Sequence, residues 1–279
     1  PGRHPAPFRR LVAREPHAAH VEGEAPVRHI NGHHLARASV EGGAAGDLVI
    51  DCAAGITIIA KAALPDGTVI TPSEMAQYSA DGVRRLATEI GGATTAVVPL
   101  GLAKLSALVV GGITYRDVDA LVMAEMPPVG DGVIGILGLD LLSRSRSVSL
   151  PYPKQGETGT MRVGASGSKG AAAVVPLTIV DSRAYCAATV NDAKAVLIVD
   201  SGSPITILDP RMAKSAGIVA DRPSKDARGI GSGSAALRTG TAGTISLGGW
   251  VARDAAVRVG SLPLFARFQG PVSVGVLGN

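Results

Sequence analysis

Aromatic side chains are scarce in this chain: three Phe, four Tyr and one Trp among 279 residues. A protein that grips single-stranded nucleic acid stacks bases on such rings beside a clustered basic face. Here the cations are scattered along the chain and sum to a net charge of only +4, so nucleic acid is not an expected partner. Charged residues are also few, at 18%, against 46% apolar residues. That balance is the opposite of a disordered chain and supplies enough material for a sizeable core. No apolar run approaches the roughly 18 residues of a membrane helix, because charges, Gly or Pro interrupt every stretch. The expectation is a soluble globular protein.

Cysteine is nearly absent. Cys52 and Cys186 allow one bridge at most and no disulfide framework. No Gly-Lys pair occurs, which removes a Walker-type phosphate loop, and the G-x-G-x-x-A run at 231–236 is followed by no helical pattern. Histidine is confined to the first 34 residues (His4, His17, His20, His29, His33 and His34). Without Cys or carboxylate partners at ligand spacing they read as solvated arm and strand residues, so no metal and no other cofactor is expected. The opening Pro1-Gly2-Arg3 has neither Met nor an apolar signal core, as in a processed chain. An exported location is favoured over a cytoplasmic one.

What the chain has in quantity is glycine, 36 residues of it, and much of that glycine recurs in register. Val49-Ile50-Asp51-Cys52-Ala53-Ala54-Gly55-Ile56-Thr57-Ile58-Ile59 matches Ile198-Val199-Asp200-Ser201-Gly202-Ser203-Pro204-Ile205-Thr206-Ile207-Leu208. Gly111-Gly112-Ile113-Thr114-Tyr115-Arg116-Asp117 matches Gly248-Gly249-Trp250-Val251-Ala252-Arg253-Asp254, and Val133-Ile134-Gly135-Ile136-Leu137-Gly138 matches Ser273-Val274-Gly275-Val276-Leu277-Gly278. A weaker match pairs Ile90-Gly91-Gly92-Ala93 with Ile230-Gly231-Ser232-Gly233. Segments repeated in one order, offset by loop-sized differences, indicate a duplicated lobe.

Within each copy, short β-branched runs at 48–50 and 196–199 end at a turn, and the pattern resumes at 57–59 and 206–208. Runs at 107–110 and 244–247 enter Gly-Gly, a hairpin signal. Helices are short, at 72–80 and 210–215, each opened by Pro. The spacing predicts a mostly-β barrel or sandwich. The expected organisation is a mobile arm at 1–20, one lobe at 21–154, a linker at 155–171 rich in Gly, Ser and Lys, and a second lobe at 172–279. That second copy stops where the first continues through 139–150, so its closing end is expected to be missing. Asp140 reads as a helix N-cap, and Asp117 and Asp254 read as surface ion pairs with the preceding arginines.

Each half places one acid directly after a β-branched strand and before small residues: Asp51 and Asp200. If the halves pack about a pseudo-two-fold axis, the two carboxyls face each other. Like charges so close cannot both ionise cheaply, so the pair holds one proton between them. Such a pair can activate water with one carboxylate while the other acid donates to a carbonyl; the acid-protease dyad is the standard example.

Val199-Asp200-Ser201-Gly202-Ser203-Pro204 resembles the Asp-Thr/Ser-Gly-Ala signature of retroviral-type (retropepsin-like) aspartic proteases, and Ile136-Leu137-Gly138-Leu139-Asp140-Leu141-Leu142 resembles that family's hydrophobic-hydrophobic-Gly segment with its helix. The likeness spans roughly 25–153 and 172–279. It implies a two-lobed acid-protease fold of two retropepsin-like β-barrel repeats with a few short helices, related by a pseudo-two-fold axis in a single chain that can act as a monomer. It also implies a peptide or protein substrate, Asp51 and Asp200 as catalytic residues, and Cys52, Ala53, Ser201 and Gly202 in support. Ile90, Gly91 and Gly92, with Ile230, Gly231, Ser232 and Gly233, would be the flaps. Copy one departs from the signature. Cys52 stands where a hydroxyl makes the cross-lobe bond, and Ala53 stands where the family has Gly, so lowered activity is expected. The reading is an aspartic endopeptidase, with a peptide-binding pseudo-protease and a purely structural module as alternatives.

Overall fold

The computed structural model describes residues 20–70, 100–126, 129–154, 156–164, 173–180, 182–228, 234–268 and 273–279. The first half forms β1 (Gly23–Ile30), β2 (His33–Val40), β3 (Ala45–Ile50), β4 (Ile58–Ala60), β5 (Val69–Ile70), β6 (Gly101–Val110), β7 (Ile113–Met123), β8 (Val133–Leu137), the one-turn α1 (Leu139–Leu142), β9 (Val148–Ser149) and β10 (Thr158–Val163). The second forms β11 (Leu177–Val180), β12 (Arg183–Val190), β13 (Ala193–Val199), β14 (Ile207–Leu208), α2 (Pro210–Ser215), β15 (Arg222–Pro223), β16 (Ala227–Arg228), β17 (Ser234–Ala235), β18 (Arg238–Leu247), β19 (Trp250–Val259) and β20 (Val274–Leu277).

Both halves close on themselves in the same way. The order β2-β3-β8-β4-β7-β6 returns to β2, and β12-β13-β20-β14-β19-β18 returns to β12, giving two six-stranded barrels. Every ladder of the two barrels has its counterpart: β3–β8 and β13–β20 are parallel, β4–β7 and β14–β19 are parallel, and β4–β8 and β14–β20 are antiparallel. The repeat read in the sequence is therefore a repeat of topology, and the fold is mostly β with few short helices.

Composition explains the architecture. β6 and β7 alternate buried and exposed positions along much of their length, as a sheet with one wet face must. Gly111 and Gly248, at φ 57° and 50°, turn the two long hairpins where a side chain would be strained. With few rings available, the first core is aliphatic around Leu48, Ile50, Leu108 and Ile113, with Tyr115 its one large aromatic. The second lobe fills with smaller residues such as Ala188, Ala195, Ala213 and Ala242, and gathers Phe265 with Ile198, Leu237 and Val276 in a separate cluster.

Several expectations change. Residues 158–163, inside the stretch read as a linker, form β10 and pair antiparallel with β1 along Gly23–Arg28. Pro at 210 does open α2 at 210–215, but its cap is Asp209, which accepts the Arg211 N–H at 2.8 Å. Asp140 is not an N-cap: Gly138 holds that place, and Asp140 Oδ1 accepts the Thr57 hydroxyl at 2.8 Å. Asp117 and Asp254 make no ion pair with their arginines among the described residues. Both take φ 50° at the same point of the equivalent hairpin, a conformation Asp tolerates better than most residues. Both cysteines are free. The arm at 1–19, the helix at 72–80 and the flap residues Ile90, Gly91, Gly92, Ile230, Gly231, Ser232 and Gly233 lie outside the described residues.

Candidate active site

Each aspartate sits at the C-terminal end of the strand that pairs in parallel with the last strand of its barrel. The Asp51 N–H donates to Leu137 O at 3.0 Å, and the Asp200 N–H donates to Leu277 O at 3.0 Å. Beneath each turn runs a glycine. A Cβ at Gly138 would lie 2.6 Å from the Ile56 carbonyl carbon, and one at Gly278 would lie 2.2 Å from Ile205 O. Glycine is required there because another stretch of backbone occupies the space a side chain would need. Thr57 and Thr206 accept the N–H groups of Gly138 and Gly278 through Oγ1, at 3.1 and 3.3 Å.

The turns fold back on their own acids. Asp51 Oδ1 accepts from Ala53 N at 2.8 Å and Ala54 N at 3.0 Å, and Asp200 Oδ1 accepts from Gly202 N at 2.9 Å. Ala53 thus makes the same bond as Gly202, and its methyl leaves the turn closed on the acid. Neither position has a positive φ, and the extra carbon packs toward the cluster around Phe265.

Across the lobes, residues 52 and 201 grip each other's backbone. Cys52 N–H donates to Ser201 Oγ at 3.0 Å, and Ser201 Oγ–H donates to Ile50 O at 3.0 Å. Reciprocally, the Ser201 N–H reaches Cys52 Sγ at 3.4 Å and the Cys52 thiol donates to Val199 O at 3.3 Å. Ile50 and Val199 immediately precede the two aspartates, so the lattice fixes both acids at once. Cysteine completes the pattern with longer, weaker bonds. Burial, with the two nearby aspartates, pushes the Cys52 thiol up to about 11, so it stays protonated and serves as a donor rather than a nucleophile.

The acids come together. The Asp51 and Asp200 carboxyls lie close enough to act on each other's proton affinity, and a Cβ at Gly202 would fall 2.4 Å from the Asp51 carboxyl carbon. Burial raises the proton affinity of both, and Asp200 is raised well above the usual carboxylate range by burial and then by the charge of Asp51. Such a pair titrates as a unit and retains a proton where isolated aspartates would be ionised.

Sequence reading missed three neighbours. His34 is fully buried; its Nε2 bonds Pro151 O at 2.8 Å and its ring meets His29 and Tyr152 at centroid distances of 5.3 and 4.8 Å. His33 faces the Gly202 backbone. Asn279 Nδ2 donates to Gly32 O and to Ser201 O, each at 2.9 Å, tying the end of β20 to the other lobe. His33 and His34 are packed against the candidate site rather than solvated, whereas His20 is exposed; their placement at the start of β2, the strand before the first Asp strand, is the sequence signal for it. No group of three His, Cys, Asp or Glu among the described residues could hold a metal ion.

Residues 186–279 match a family model described as aspartyl protease, so the resemblance read from the repeats holds. No curated protein matches the chain. Among solved structures it is similar to Basic 7S globulin from soybean at 12% identity and TM-score 0.48, covering 93% of this chain and 89% of that one. It is similar to an aspartic proteinase from Irpex lacteus at 15% and 0.49, covering 84% and 78%. A retropepsin-like aspartic protease from Rickettsia conorii matches at 15% and 0.28, covering 51% and 90%.

Proposed function

We propose that this two-lobed, retropepsin-like chain is an aspartic endopeptidase that hydrolyses peptide bonds where its lobes meet. The matched family and the fold support a protease. The observation that carries the finer reading is the meeting of two acids 149 residues apart, Asp51 and Asp200, delivered by equivalent strands, with the Gly202 turn seated on the Asp51 carboxyl and the turns bonded across the lobes through residues 52 and 201.

Protonated once, such a pair does both halves of an acyl-transfer step. The ionised carboxylate takes a proton from water as the water oxygen bonds to the scissile carbonyl carbon. The protonated acid gives its proton to the carbonyl oxygen, leaving a neutral gem-diol. Collapse of that diol, with proton transfer to the amine, breaks the C–N bond. The chemistry draws on no group beyond the two acids and water. Cys52, Ser201, Ala53 and Gly202 hold the acids in place, and one chain supplies both, so a monomer suffices. An extended peptide is the substrate class, its backbone pairing in the manner of an added strand.

Digestion of casein or a peptide library at pH 4–6, with a statine-type inhibitor as control, tests the reading. The expected result is inhibitor-sensitive cleavage abolished by Asp200→Asn. Peptide binding without turnover would replace it with a pseudo-protease, and neither binding nor turnover with a structural module.

A further inference from the structure

The repeat makes Asp51 and Asp200 equivalent in topology, but lobe docking makes their surroundings unequal. Each barrel lays its first hairpin turn on the other barrel's aspartate turn. A Cβ at Gly55 would lie 3.0 Å from Ser182, which leads into β12, and one at Gly32, which leads into β2, would lie 2.3 Å from Pro204. The next residue opens β12 or β2: Arg183 beside the Asp51 turn, His33 beside the Asp200 turn. They hold the same register position, because Tyr185 pairs with Ile198 and Leu35 with Val49, two residues further along each strand. One turn is thus approached by a permanent cation and the other by an imidazole.

Turn N–H groups serve both carboxyls, so the difference between the two acids lies in the side chains that approach them. The Asp51 carboxyl accepts two turn N–H groups, from Ala53 and Ala54. Asp200 Oδ1 accepts that of Gly202 at 2.9 Å, and the Ser203 N–H, bonded to the Asp200 main-chain carbonyl at 3.4 Å, also favours the charged carboxyl. Arg183 is buried, 7% exposed, so its attraction for a neighbouring carboxylate is weakly screened by solvent and salt.

We propose that Arg183 is a positioning residue that fixes the negative charge on Asp51 and leaves the shared proton on Asp200. This rests on the proteolytic reading and deepens it: Asp51 is the base toward water, and Asp200 is the acid toward the carbonyl. Among the described residues the groups facing Asp51 are Asp200, Arg183 and Cys52. Those on the Asp200 side are Asp51, Cys52 and His33, with His34, His29 and Tyr152 packed behind. Arg183 favours the ionised form of Asp51 against the burial that opposes it, and among the described residues no cation acts on Asp200 in that way. Burial keeps His33 neutral more readily than a free histidine.

The test is a carbon-13 NMR titration of protein labelled at the Asp side-chain carboxyl carbon, with Asp51→Asn and Asp200→Asn identifying the two resonances. In the wild type the first ionisation belongs to Asp51. Arg183→Gln is expected to raise that step by about one pH unit, the lower end for loss of a neighbouring opposite charge, and Arg183→Lys to restore most of it. His33→Arg, which gives the second turn its own cation, should lower the Asp200 step. A first ionisation on Asp200, or an Asp51 step unmoved in Arg183→Gln, overturns the proposal. Should Arg183→Gln not fold, His33→Arg decides, since an unmoved Asp200 step overturns it equally. Peptide hydrolysis is assayed on the same samples. Asymmetric titration without any cleavage defeats the proteolytic reading alone, and cleavage with symmetric titration defeats only the role of Arg183.

Discussion

Asp51-Cys52-Ala53 and Asp200-Ser201-Gly202 perform the same backbone task with different residues. In both, the residue two past the acid donates its N–H to the carboxyl, at 2.8 and 2.9 Å, and the residue one past the acid reaches across to the opposite lobe. The two turns differ in what surrounds them. Ala53 has room for its methyl against the Phe265 cluster, whereas Gly202 lies against the Asp51 carboxyl with no space for one. The signature glycine is thus demanded by packing on the second turn and not by dihedral angle on either, which is why the first could lose it.

The sharpest way to break this comparison is to exchange the third residues. Gly202→Ala would push a carbon into the Asp51 carboxyl. Displacing a reacting group by about an ångström costs on the order of 100-fold in rate, and overpacking adds about 1–3 kcal/mol of destabilisation. Peptide hydrolysis and denaturant midpoints should both fall. Next come the second residues. Ser201→Ala leaves the Cys52 N–H and Ile50 carbonyl without their partner, costing about 1–3 kcal/mol by denaturant titration. Cys52→Ala removes only sulfur contacts and should cost less, while Cys52→Ser should match or exceed wild-type stability. Reversal of that order would show that the two halves of the grip are not equivalent.

A third prediction sets the histidines against the acids. His33 and His34 have lowered proton affinity, chiefly through burial. The unfolded chain therefore binds protons that the folded one refuses as pH falls below 6.5, and stability drops through that window. Asp51 and Asp200 act oppositely. Their raised affinities cost stability above the ordinary value of 3.8, and that cost is recovered as pH falls through the folded-state values. His34→Gln should lose less melting temperature than wild type between pH 7.5 and 5.5, measured by circular dichroism. The smallest effect is expected of Ala53→Gly: a stability change of less than about 1 kcal/mol, with hydrolysis kept, because the Asp51 turn already has the right shape.

The features visible in the sequence are those written locally. The Gly-Gly hairpins at 111–112 and 248–249, the strand ends at Ile50 and Val199, and α2 at 210–215 each depend on a few adjacent residues. Duplication added the one long-range inference, that Asp51 meets Asp200. What escaped depends on docking between distant segments. His34 finds Pro151 across 117 residues and Asn279 finds Gly32 across 247, and neither pairing leaves a periodic trace. Asp140 was misread for the same reason: its partner Thr57 is 83 residues away, so a local capping rule could not reveal it. Asp117 and Asp254 did carry a signal in their identity, since an acid recurring at the same hairpin position suits a left-handed residue as well as a charge.

Carrying both turns on one polypeptide has a consequence for how the molecule can vary. Were the lobes identical subunits, an alanine gained by one turn would be imposed on the other, and that other has no room for it. Separate codons free position 53 from position 202, and likewise allow an arginine at 183 opposite a histidine at 33. Chemical inequality between two acids is then available by single substitutions, a route closed to any assembly of identical halves.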